Sequence, residues 1–163
     1  MTTFKKNTEI KRGAAIRAFI GAYLVVTVLC AALSIAIIAI QHDPSTSSQA
    51  VHGRGYVDSE HFDPLINLAV WTYFACRYFR RLPDAARTVR HGLLLGRMWL
   101  CIALPVDLVF FVIIKNPISL SPHDFYVGQF PWIYLIYCAV FLGPVCAAAL
   151  ASRRSTSRSA AAA

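Results

Sequence analysis

The chain has 163 residues, of which 57% are apolar and only 15% charged, with a net charge of +8 and a mean hydropathy of +0.54. A soluble domain carries about a quarter charged residues and slightly under half apolar ones, and the excess here lies in long blocks, as in segments that cross lipid. That leaves no room for a second globular domain, and basic residues placed beside oily blocks, not among aromatic or polar readers, argue against nucleic acid as a partner.

Five basic residues, Lys5, Lys6, Lys11, Arg12 and Arg17, come before the first apolar block, about 18–40, "AFIGAYLVVTVLCAALSIAIIAI". The block is longer than the roughly 7–15 apolar residues of a cleaved signal, and no A-x-A site follows, so an uncleaved span is expected. A long polar outer loop comes next, with Gly and Pro suited to turns. The second span, about 64–79, "PLINLAVWTYFACRYF", is the shortest and relies on its aromatic ends to match the bilayer.

The inner loop reads "RRLPDAARTVRHGLLLGR". Pro83 suits a first helical turn, and Leu82, Ala85, Ala86, Val89 and Leu93 recur at helical spacing. The expectation is a short helix on the membrane surface, with Arg80, Arg81, Arg87 and Arg90 among anionic headgroups.

A third span follows over about 95–114 and a fourth over about 130–151, "FPWIYLIYCAVFLGPVCAAALA". In the short loop between them, Phe125, Tyr126, Phe130 and Trp132 read as an interfacial aromatic belt. The tail, 152–163, is low in complexity and expected as a disordered basic cytoplasmic end.

The basic residues orient the chain. Besides the first five, Arg77, Arg80, Arg81, Arg87, Arg90 and Arg97 lie between spans two and three, and Arg153, Arg154 and Arg158 follow span four. Fourteen of the sixteen basic residues thus share one face, leaving Arg54 and Lys115 for the other. Lys and Arg are retained on the cytoplasmic side. The expected fold is an all-α integral membrane protein, a single four-helix transmembrane bundle over 1–151 with both termini cytoplasmic. Its Ala/Arg bias and compact loops suit a bacterial inner membrane.

Cys30, Cys76, Cys101, Cys138 and Cys146 all fall inside apolar blocks, where cysteine behaves as a small hydrophobe, so loop disulfides are excluded.

Asp107 is the unusual residue of the third span, two positions after Pro105. An ionised carboxylate near mid-bilayer costs several kcal/mol, so it is expected to face the bundle interior. Counting from the outer ends of the other spans places Ser34, Thr72 and Tyr137 at its depth. Pro105 withholds a backbone hydrogen bond from the Cys101 carbonyl, so a kink or a trapped water is expected there. Asp107 then either binds a proton or cation, or donates a hydrogen bond to Thr72, Ser34 or Tyr137 and fixes helix register.

The outer residues His42, His52, His61, Asp63 and His123 are of types that bind zinc or copper, although their spacing matches no tight ligand motif. No nucleophile with a positioned base, phosphate-cradling Gly loop or paired intramembrane aspartates is apparent.

These features lead first to a non-enzymatic accessory or partner-binding membrane protein without a cofactor. Its partners are the lipid bilayer and, through spans rich in Gly, Ala, Ser and Cys, another membrane protein or a second copy. A small proton- or cation-coupled transporter using Asp107 is the alternative. An outer-face His/Asp metal-handling protein or membrane enzyme is the third reading.

Overall fold

The computed structural model describes residues 10–42, 53–115 and 119–161, with side chains as far as residue 153. Among the described residues the chain is helical, with no strand. Helix α1 (Arg12–Gln41) is followed by the short α2 (Arg54–Glu60), α3 (Asp63–Arg80), a 3-10 turn at Asp84–Ala86 and α4 (Val89–Asp107). A π-helical segment (Leu108–Ile113), a π turn (Asp124–Gly128) and α5 (Trp132–Ala161) complete the order. Three stretches, Arg12–Gln41, Val89–Ile113 and Trp132–Arg153, are long and apolar enough to cross a membrane. α3 has 18 residues and carries Asp63, Arg77 and Arg80, so it is shorter and more polar than those three.

Contacts between helices set their directions. Trp99 Nε1 donates to the Ala15 carbonyl (3.1 Å), and the Tyr23 hydroxyl to Asp107 (2.6 Å), so α1 and α4 run the same way. α3 runs against α1, since Phe19 meets Trp71 (ring centroids 5.3 Å apart) while Cys30, further along, meets Asn67 (3.9 Å). The core is built on Phe19, Trp71 and Trp99, with Leu95, Ala103 and Val140 packed around them.

α4 and α5 run antiparallel with their backbones close together. A Cβ on Gly92 would stand 2.8 Å from the Pro144 carbonyl oxygen, and one on Gly96 would collide with the Phe141 carbonyl. The sequence "GLLLG" is thus a small-xxx-small contact in which only hydrogen fits at both ends. A Cβ on Gly143 would meet Trp71 Cβ at 2.7 Å, which places α3 equally close to α5.

Pro105 lies inside α4, and the helix passes through it before widening at Leu108. The Leu108 N–H is shared by the carbonyls of Leu104 and Pro105, and Ile114 N bonds Val109 O (2.9 Å) in the wider π pattern. Proline lacks the N–H of a regular turn, and π-bulges mark such interruptions.

Two sequence expectations are corrected. The loop between α3 and α4 does not form the expected short helix of its own: it makes one 3-10 turn, and α4 starts afresh at Val89 with Thr88 as N-cap, its hydroxyl accepting from His91 N (3.2 Å). Thr88 ends the earlier turn because its side chain satisfies a free N–H of the new helix. α5 is helical as far as Ala161, through a stretch after Ala151 that is mostly serine and arginine. Phe125 is no belt residue: it is buried against Phe111 (6.0 Å, interplanar 12°) among Val112, Leu120 and Ile133. Phe130 is exposed and Trp132 half-buried.

Candidate functional site: an acid-lined chamber between the helices

The helices border a half-open chamber of about 350 Å³ lined by α1, α2, α3, α4 and α5, with Thr27, Ala31 and Ile35 exposed at its open side. Each helix contributes a face at regular spacing. On α1 the lining residues include Tyr23, Thr27, Cys30 and Ser34, and on α3 Asp63, Asn67 and Trp71. Steps of three and four residues keep a side chain on one side of a helix.

Asp107 sits at one end and is only 8% exposed. Its Oδ1 accepts from the Tyr23 hydroxyl at 2.6 Å. The Tyr137 hydroxyl is close enough to interact with the same carboxyl, yet it is buried with no partner in good hydrogen-bonding geometry.

Of the expected companions, Tyr137 is therefore beside Asp107 and Pro105 lies two residues before it. Thr72 is half-buried on α3 where that helix crosses Gly143, not against Asp107. Ser34 lines the same chamber but pairs with Ser59 (2.7 Å). It lies eleven residues beyond Tyr23, about 16 Å along the helix at 1.5 Å per residue. Counting depth assumed that all spans end in one plane. Instead the last turns of α1 are covered by α2, through Ser34–Ser59 and a Gln41–Asp58 hydrogen bond (2.7 Å), so the register of α1 is displaced.

Midway along the chamber is Asp63, in the first turn of α3. Its carboxyl lies beside the Cys30 thiol, and its Oδ1 is buried without a hydrogen-bond partner. Asn67 connects this level to the core: its Nδ2 donates to the Asp63 carbonyl (2.9 Å), and its Oδ1 accepts from Trp71 Nε1 (3.0 Å).

The end away from Asp107 is bordered by Glu60 and Tyr56 on α2. Gln129 Nε2 donates to Glu60 Oε1 (3.1 Å) and to the Tyr56 hydroxyl (2.9 Å). Burial holds the Glu60 carboxyl above its ordinary range, with the Gln129 hydrogen bond pulling the other way. Burial, then the charges of Glu60 and Asp63, raise the Tyr56 phenol.

Three carboxyl groups thus face one chamber. Among the described residues the ion pairs are Arg87–Asp84 and His123–Asp124, so no lysine or arginine pairs with Asp107, Asp63 or Glu60. A buried carboxylate without a counter-charge costs several kcal/mol, so Asp107 holds a proton or faces a bound cation, while Glu60 has Gln129 and the His61 imidazole nearby.

The candidate metal ligands are dispersed. His42 Nδ1 contacts the Ile40 carbonyl, His61 packs at a tilt against Trp132 (ring centroids 4.4 Å, interplanar 50°), and His123 is near Asp124 (3.5 Å). Asp63 points to the chamber, and His52 lies outside the described residues. Among the described residues, no three His, Cys, Asp or Glu side chains converge to hold a metal ion.

Around the turn between α3 and α4, Arg80, Arg81 and Arg90 are exposed. Arg87 is not free for headgroups: its Nε donates to the carbonyls of Phe79 (3.0 Å) and Leu82 (3.1 Å), and a terminal nitrogen meets Asp84 (2.7 Å). It closes the C-terminus of α3, where free carbonyls and the helix dipole favour a cation.

Tyr23, Glu60, Asn67 and Gln129 were not singled out from sequence. The spacing 23, 27, 30, 34 along α1 and 63, 67, 71 along α3 was the available signal, because each set forms one polar-capable stripe on an otherwise oily helix. No protein-family model, curated protein or solved structure matches this chain.

Proposed function

We propose that the chain is a four-span membrane protein with both termini cytoplasmic, and that it carries a cation across the membrane in exchange for protons at Asp107. In this reading α3 is the fourth span, shielded by α1 and α5, and the arginine-rich inner loop stays in the cytoplasm. A bacterial inner membrane suits the composition and the compact loops.

One observation carries the reading: Asp107 lies at the deep end of a chamber that two further acids share, with hydroxyl groups and no basic side chain beside it. A proton or a cation satisfies the carboxylate equally well, and alternation between the two is the coupling step. Intramembrane acids facing a cavity suit such exchange. The accessory-protein reading draws on small residues, but Gly92, Gly96, Gly143 and Ala148 make contacts within the chain.

The test uses vesicles containing the purified protein, a trapped pH-sensitive dye and an imposed pH gradient. Added sodium, potassium, guanidinium or spermidine collapses the gradient with wild type, at least for one of the four, and does not with Asp107→Asn. A gradient that survives all four with wild type defeats the carrier reading.

A further inference from the structure

The chamber is elongated, and its acids are strung along its length. Asp107 is held by Tyr23, and Asp63 lies beside Cys30, seven residues further along α1, about 10 Å away on the helix axis. Glu60 lies beyond, next to Ser59, which pairs with Ser34 about 16 Å from the level of Tyr23. The walls between are apolar and aromatic, including Val26, Ala31, Trp71, Ala103 and Ile136.

A single inorganic ion does not match this arrangement. Such an ion needs roughly six oxygen ligands converging on one point, and among the described residues no three acidic or metal-ligating side chains converge. The space, about 350 Å³, also far exceeds a bare ion and lies in the range of small-molecule sites. One buried oxygen without a hydrogen-bond partner faces this site, Asp63 Oδ1, and Asp107, only 8% exposed, turns its carboxyl to the same space.

We infer that the chamber binds a linear aliphatic polyamine, its ammonium groups placed at Asp107, Asp63 and Glu60 and its methylene spacers along the apolar wall. This rests on reading the chamber as a cation site and adds the class of cation. Each ammonium supplies a counter-charge to one chamber carboxylate, and the methylenes cover Ala31, Ile35 and Ile136 as water leaves. The ring of Tyr23, half-buried beside Asp107, adds attraction for an ammonium group. Gln129, bridging Tyr56 and Glu60, closes the outer end over the last nitrogen.

Titration calorimetry on the full chain, purified in nonionic detergent and free of anionic lipid, tests this with spermidine, hexylamine and hexane-1,6-diol. Spermidine binds saturably, hexylamine about tenfold or more weakly, and the uncharged diol not at all. Asp107→Asn and Asp63→Asn each weaken spermidine about tenfold, because a partner charge is then left unmatched. Asp58→Asn, whose carboxyl is exposed and bonded to Gln41 outside the chamber, leaves binding unchanged. Thermal unfolding checks each variant, and Glu60→Gln replaces any that does not fold. Hexylamine binding as tightly as spermidine, or acid variants that fold and bind like wild type, overturns the inference, as does a wild type that ignores spermidine. If spermidine does not bind while another cation collapses the vesicle gradient, the polyamine assignment fails and the carrier reading stands. If it binds without any flux, the reverse holds.

Discussion

The Tyr23 hydroxyl donates a 2.6 Å hydrogen bond to Asp107 across 84 positions of sequence, and so ties the first helix to the acid of the fourth. It is the link that turns a lone carboxyl in an oily segment into one end of an organised chamber. Tyr23→Phe removes the donor and leaves the ring in place. We expect it to lower stability by about 1 kcal/mol, the size of an interhelical hydrogen bond in a membrane protein, as read by unfolding in detergent. A variant as stable as wild type would show that the bond contributes nothing net.

Gly96→Ala should separate α4 from α5, since the added methyl group meets the rigid Phe141 carbonyl and not a side chain that can swing aside. Overpacking of this kind costs about 1–3 kcal/mol. Gly13→Ala is the control, because nothing lies within 4 Å of its Cβ position. There the exchange is expected to be neutral or slightly stabilising, as alanine is the better helix former. Equal melting temperatures for the two variants would contradict the close approach.

Glu60 gives a pH dependence. Burial raises its carboxyl above the ordinary value of 4.5 in the folded chain. The unfolded chain therefore ionises first as pH rises, and the folded chain holds more protons between the two pKa values. Its contribution is fully present below about pH 4.5 and is lost as pH climbs through the folded value. Glu60→Gln keeps the acceptor for Gln129 and removes the titration. The difference in melting temperature between variant and wild type should grow in the variant's favour as pH rises from 4.5, then level off. Parallel pH profiles would mean that Glu60 is solvated.

Cys30 lines the chamber, whereas Cys101 and Cys138 are exposed on the outside of the helices. With the other four cysteines replaced by serine, Cys30 should react with a small, water-soluble, cationic thiosulfonate added from the outer side. A chain carrying Cys101 alone should not, because its thiol lies on the outside of the helices, away from the chamber. Equal labelling of both chains would show that water does not enter the chamber selectively.

Reporter fusions at Ser48 and Ala86 check the threading. Ser48 should report the outer compartment and Ala86 the cytoplasm. The same compartment for both would remove α3 as a span.

Hydropathy and the placement of lysine and arginine settled much from sequence alone: an all-helical chain, with apolar segments able to cross a membrane and one costly acid within them. These are local or composition-level properties, since a helix in lipid satisfies its own backbone and needs no distant partner to be legible. Rotation and axial register are different, because they depend on which backbones come closest. Gly92, Gly96 and Gly143 decide that, and α2 covers the last turns of α1. Hence Ser34 bonds Ser59 instead of Asp107, Arg87 folds under α3, and Tyr23, Asp63 and Glu60 come to face the same space as Asp107. A sequence displays the residues on each face of a helix, but only packing selects which faces meet.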